Sequence, residues 1–202
     1  MRRARGLKDF TTTNGDPLDY LGGYRMIKIV VNPQNKITAP DHVVMVVAFH
    51  LPTTYTAPLT IIDDLPTGWS ASPIGAWDSV VKVCYGATLP AGFPNYLPFD
   101  NPCSGWAVQL PEPSVVQFSW SGGVLTAEIV DGSYGPGWLV MFIKANYDLQ
   151  GQPLPPGYFS PYDGYCIRDF ENYAELLYGG STLATATGTL RGVGQKPGGS
   201  LC

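Results

Sequence analysis

From Trp138 to Ala145 the chain reads Trp-Leu-Val-Met-Phe-Ile-Lys-Ala, an almost unbroken apolar run framed by Tyr134-Gly135-Pro136-Gly137 and Asn146-Tyr147-Asp148. It is the clearest of about eight runs of strand length, each closed by Gly, Pro, Asn or Asp. A chain that must turn this often cannot build long helices. Repeated short apolar runs with turn residues between them give an all-β fold, an antiparallel β-sandwich or barrel. The 24 Gly and 19 Pro lie between the runs and show no Gly-x-y period, which excludes collagen and makes them turn punctuation.

Individual runs carry more detail. Tyr24 to Val31 alternates weakly and stops at Asn32-Pro33. Val43 to Leu51 is apolar on both faces, as expected of a central strand covered on both sides. Pro58 interrupts Thr54 to Ile62, and because proline cannot donate to a ladder it places that segment at an edge or a bulge. Between Ser79 and Tyr85, Val81, Val83 and Tyr85 point one way and Val80, Lys82 and Cys84 the other. Val115 to Trp120 and Val124 to Val130 flank Ser121-Gly122-Gly123 and predict a hairpin, with Val116, Phe118 and Trp120 on the same face as Leu125, Ala127 and Ile129. Gly86 to Pro113 carries six prolines around one strand-like piece, Trp106 to Leu110, and predicts a long ordered loop system.

The ends have a different character. Arg2, Arg3, Arg5 and Lys8 are four of the 12 basic residues and make a small cationic arm on a chain of net charge -4. The arm is a solvated terminus or a weak contact for RNA, another phosphate or an acidic neighbour. Met-Arg-Arg could begin a signal peptide, but residues 9–20 are polar and supply no apolar core for one. Near the other end, Asp169 can cap a helix, Phe170, Tyr173, Ala174 and Leu177 recur at helical spacing, and Gly179-Gly180 stops it, which predicts one short helix over 169–178. Ser181 to Cys202 is rich in Gly, Ser, Thr and Ala and reads as a tail with few contacts inside its own chain. The expected organisation is an arm over 1–20, a β-sandwich over 21–150 and a C-terminal extension over 151–202.

Chemistry is harder to find than architecture. The two histidines, His42 and His50, sit at either end of one predicted strand, about 26 Å apart at the usual strand rise, too far to form one site. No Gly-x-Ser-x-Gly elbow, Walker loop or Gly-x-Gly-x-x-Gly is present. Asp63, Asp64, Asp100, Asp131, Asp148 and Asp163 are scattered turn acids, and Glu112, Glu128, Glu171 and Glu175 form no pair suited to glycoside hydrolysis. Cys84, Cys103, Cys166 and Cys202, spaced by 19, 63 and 36, match no zinc or redox motif. Buried free thiols are the default, with a Cys84 to Cys103 loop bond as the alternative in an oxidising compartment and Cys202 unpaired. The expectation is therefore no catalytic, cofactor-binding or metal-binding residue, and not an enzyme. The longest apolar stretch is about half of what a membrane-spanning helix needs.

What remains are loop aromatics beside Gly or Pro: Trp69, Trp77, Phe93, Tyr96, Phe99, Trp106, Tyr134, Tyr158, Phe159, Tyr162 and Tyr165. They can stack on sugars, anchor an interface, or plug the ends of the sandwich. Charged residues are only 14% of the chain, so much of its surface is uncharged and suited to being covered.

Arg2 to Phe10, followed by Tyr20-Leu21-Gly22-Gly23-Tyr24-Arg25-Met26-Ile27-Lys28-Ile29, resembles a pattern in capsid proteins of picorna-like viruses, as does Gly137 to Ala145 with its Lys-Ala-Asn-Tyr-Asp ending. The resemblance covers about a third of the chain. It implies a jelly-roll subunit of a virion that assembles with other capsid subunits through loops and termini. The alternative is a viral spike or secreted β-sandwich module, extracellular, that binds glycan or receptor through loop aromatics.

Overall fold

In the computed structural model, residues 3–11, 18–21, 23–28, 30–31, 37–38, 42–71, 81–94, 97, 101–149, 151–152, 160–162 and 165–195 are described. Every regular element among them is a strand. In chain order the first six are β1 (Arg5–Thr11), β2 (Asp19–Leu21), β3 (Tyr24–Lys28), β4 (Val30–Val31), β5 (Ile37–Thr38) and β6 (His42–Leu51). Next come β7 (Tyr55–Thr56), β8 (Leu59–Asp64), β9 (Trp69–Ser70), β10 (Val81–Gly86), β11 (Val108–Gln109) and β12 (Val116–Ser121). The last six are β13 (Val124–Ile129), β14 (Ser133–Tyr134), β15 (Gly137–Tyr147), β16 (Ser160–Tyr162), β17 (Tyr165–Tyr178) and β18 (Ser181–Gln195).

Sheet A has the order β1-β6-β15-β10-β11, with β9 on β15; sheet B runs β12-β13-β8-β17-β18-β3-β2, with β16 on β17. All pairs are antiparallel except β18 with β3. The protein is thus an all-β sandwich. Its main core lies between the sheets, where Met45, Val47 and Phe49 of β6 and Leu139, Met141 and Ile143 of β15 meet Leu59 and Ile61 of β8, Leu125 and Ile129 of β13, and Phe170 and Leu176 of β17. This is period-2 alternation at work: each strand turns every second side chain to the opposite sheet.

A second core explains why β6 is apolar on both faces. Val44, Val46 and Ala48 of β6, with Val140 and Phe142 of β15, point away from sheet B and meet Cys103, Leu89, Phe93 and Trp106 from the Pro-rich loop after β10. That loop is a third layer. A disulfide from Cys84 on β10 to Cys103, with Cα atoms 5.7 Å apart, pins it to the sheet. The expectation of free thiols at these two positions is overturned: Cys84 faces the loop layer rather than the inter-sheet core, so Cys103 meets it there.

The hairpin forms in the expected register, Val116 opposite Ile129, Phe118 opposite Ala127 and Trp120 opposite Leu125. Its turn uses Gly122 and Gly123, both at positive φ. Val116 is buried, whereas Phe118 and Trp120 are only half-buried, because this hairpin is the edge of sheet B. Pro58 falls between β7 and β8, so β8 escapes the edge position expected for it and pairs on both sides, with β13 and β17.

Both ends depart from the sequence reading. The arm is a strand: β1 pairs with β6 from Arg5 opposite His50 to Thr11 opposite Val44. The short helix expected over 169–178 is instead the greater part of β17, whose buried residues Phe170, Asn172, Ala174 and Leu176 follow period 2. A polar residue at Asn172 broke the apolar alternation and left the helical spacing of Phe170, Ala174 and Leu177 as the stronger signal. The tail, over 181–195, is the longest strand among the described residues, paired with β17 along its length. Its small residues serve close packing: Gly6 of β1 abuts Thr185 and Ala186, and a Cβ on Gly188 would stand 2.9 Å from the Phe10 ring. Residues 196–202 lie outside the described residues.

Candidate functional site

The histidines remain apart at the two ends of β6, as expected, with the His50 ring 5.0 Å from that of Trp138. Among the described residues, no group of three His, Cys, Asp or Glu side chains is arranged to hold a metal ion. Nor, among the described residues, is any helix long and apolar enough to cross a membrane.

The basic residues of the arm do not act together. Arg3 is exposed and Arg5 lies over the Trp138 ring at 5.4 Å, while the Lys8 side chain is entirely enclosed. Arg2 lies outside the described residues. A shared phosphate contact by Arg2, Arg3, Arg5 and Lys8 therefore loses Lys8, which points into the sandwich because it shares the inward face of β1 with Gly6 and Phe10.

The loop aromatics that are described point inward. Trp69 and Tyr134 are buried in the main core, and Phe93 and Trp106 pack beneath the disulfide-pinned layer with their rings 6.4 Å apart. They plug the sandwich and offer no stacking platform. Burial pushes the Tyr134 phenol up, Asp131 adding to it, and its hydroxyl donates to the Asp131 carbonyl at 2.8 Å. Trp77, Tyr96, Phe99, Tyr158 and Phe159, and the side chains of Tyr162, Tyr165 and Cys166, lie outside those described, as do Asp100, Asp163 and Cys202.

Two places remain. One is a polar cluster inside the core that sequence reasoning did not find. Lys8 Nζ of β1 meets Asp63 Oδ2 of β8, and the Asn172 amide of β17 donates to Asp63 Oδ1 at 2.7 Å and to the Asp64 carbonyl at 2.6 Å. The Lys8 and Asp63 side chains and Asn172 as a whole have no solvent exposure. Burial lowers the Lys8 pKa, against the opposing pull of the Asp63 charge and hydrogen bond. Asn172 Oδ1 is buried without a hydrogen-bond partner among the described residues. The available signal was phase: Asp63 continues Leu59-x-Ile61-x-Asp63, and Asn172 stands between Phe170 and Ala174, so each occupies a core position.

The other is a groove of about 460 Å³ on the outer face of sheet B, between the turn after β8 and the middle of β17. Asp64, Pro66, Arg168, Asp169, Glu171 and Tyr173 line it. Tyr173 is 43% exposed. Asp169 is engaged by Arg191, whose Nε and Nη2 donate to its two carboxylate oxygens at 2.6 and 2.7 Å. These hydrogen bonds raise the Arg191 pKa, and the bidentate pair holds the Asp169 carboxylate in place. Asp64 and Glu171 are exposed carboxylates.

No family model and no curated protein matches this chain. Solved structures do superpose on it. The N-terminal domain of the Streptococcus gordonii adhesin Sgo0707 gives a TM-score of 0.49 at 9% identity over 92% of this chain and 32% of that one. The T6 backbone pilin of serotype M6 Streptococcus pyogenes gives 0.45 at 9% identity over 95% of this chain and 35% of its own. ACE19, the collagen-binding subdomain of the Enterococcus faecalis surface protein ACE, gives 0.37 at 8% identity, covering 88% of this chain and 99% of that one. Likenesses of this degree carry no information about ligand or partner.

Proposed function

We propose that this chain is an extracellular β-sandwich module that binds a glycan in the groove on sheet B and does not transform it. The observation that carries the extracellular part is the Cys84 to Cys103 disulfide, since such bonds form and persist in oxidising compartments and are rare in the cytosol. The groove supplies the binding part. An exposed Tyr173 ring can stack on the C–H face of a sugar, while Asp64 and Glu171 accept hydrogen bonds from its hydroxyls. The shell-subunit reading relied on an arm and a tail lying on neighbouring chains. Both are strands of the chain's own sheets over their described lengths, which weighs against that arrangement.

A glycan array probed with the oxidised protein tests this directly. Binding should be lost in Tyr173→Ala and weakened in Glu171→Gln, with the fold unchanged by circular dichroism. A protein that binds no glycan and sediments as a large particle would return the capsid reading to first place.

A further inference from the structure

We propose that the side chains of Lys8 and Asn172 become joined by an amide bond, formed by the chain itself, with Asp63 moving the protons and one ammonia leaving. The inference is independent of what the outer groove binds.

Three polar residues from three strands converge in the middle of an apolar core. A buried ion pair is a costly element unless its remaining donors and acceptors are satisfied. Here they are not. The Lys8 ammonium has three donors and, among the described residues, Asp63 as its one acceptor, and Asn172 Oδ1 is unpartnered. As a stabilising device the cluster is poor; as a reacting group it is complete. Lys8 is a nucleophile whose enclosure favours the neutral amine. Asn172 presents an amide carbon. One Asp63 oxygen contacts the attacking nitrogen, and the other is 2.7 Å from the nitrogen that must leave.

The strands bring the two ends together. Asn172 lies directly across from Gly188 in the β17–β18 ladder, and the Lys8 stem passes over that position, its Cγ 3.3 Å from where a Gly188 Cβ would stand. Glycine there opens the route by which a lysine on sheet A reaches an asparagine on sheet B. Such fixed proximity replaces the translational freedom that makes uncatalysed aminolysis of an amide slow.

The step balances. The Lys8 ammonium passes a proton to Asp63 Oδ2, and the amine lone pair attacks Asn172 Cγ. As the tetrahedral centre collapses, the Cγ–Nδ2 bond breaks, and Asp63 delivers its proton to the leaving nitrogen, which departs as ammonia. Asp63 then takes the second proton from Nζ, leaving a neutral secondary amide beside a protonated carboxyl, and the ammonia can carry that proton off as ammonium. No electrons are exchanged and no co-reactant is required. Water is excluded from the site, so hydrolysis does not compete.

Mass spectrometry of the intact full chain, with the disulfide reduced, decides the matter. The folded wild type should weigh less than its sequence by one ammonia, trypsin should fail to cut after Lys8, and a branched peptide should link the segments containing Lys8 and Asn172. Asp63→Ala should restore the full mass. Asn172→Asp, if it reacts, should lose water in place of ammonia. Should Asp63→Ala not fold, the wild-type mass and peptide map are sufficient. A folded wild type of full mass overturns the proposal, as does an ammonia loss confined to one linear peptide.

Discussion

The outer face of sheet A lies under a disulfide-pinned loop with a core of its own, while the outer face of sheet B faces solvent and carries the groove around Tyr173. The two sheets therefore divide the work. On sheet A, Val44, Val46, Val140 and Phe142 are enclosed from both sides, and large side chains there contribute stability. On sheet B, the outward residues Asp64, Glu171 and Tyr173 are exposed and support little packing. On the proposed function, stability and recognition would be segregated by face.

Substitutions can break or sharpen that contrast. The largest effect should come from Phe142→Ala, which removes a ring only 2% exposed beneath the loop and should cost about 3–5 kcal/mol in urea unfolding. A loss below about 1 kcal/mol would mean that the loop collapses into the space or never covers the face. Next, replacing both Cys84 and Cys103 by Ser opens a closure of 19 residues and should cost about 3 kcal/mol. Protease cleavage between 86 and 113 should rise with it, and an uncut loop would show that the apolar layer holds without its pin. Phe118→Ala, on the half-buried edge hairpin, should cost about 1–2 kcal/mol, less than a fully enclosed ring. Tyr173→Ala should change stability by no more than about 0.5 kcal/mol while abolishing glycan binding. If it unfolds the protein instead, the bare face is a structural one.

How much of this could be read from the sequence depends on how far each feature is local. The Val116 to Ile129 hairpin was legible to the residue, because alternation and a Gly-Gly turn are both encoded within fifteen positions or so. Double covering of β6 was legible too, but not what covers it, since the loop docks some forty to sixty positions away. The 169–178 segment satisfied helical and strand periods at once, and only pairing with β8 and β18 decides between them. Small residues over 181–195 resembled a tail because their purpose, close approach to Gly6, Lys8 and Phe10, belongs to a strand at the other end of the chain. The Lys8, Asp63 and Asn172 cluster was hidden for the same reason: its members are separated by 55 and 109 positions. Each is unremarkable alone.

The close packing of β1 against β18 has a mechanical consequence. These strands are the first and the last in the described chain, and they meet face to face across the two sheets, while Lys8 of β1 also reaches Asp63 of β8 in sheet B. A tension applied to the chain ahead of residue 5 and beyond residue 195 is thus shared across that contact, in parallel with the long route through every intervening strand. The Arg25 guanidinium reinforces it, donating to both Asp9 oxygens at 2.9 and 3.0 Å and so tying β3 of sheet B to β1. A pull on both ends should therefore meet less a thread to be unravelled than a clasp whose two halves must be sheared apart before the core is reached.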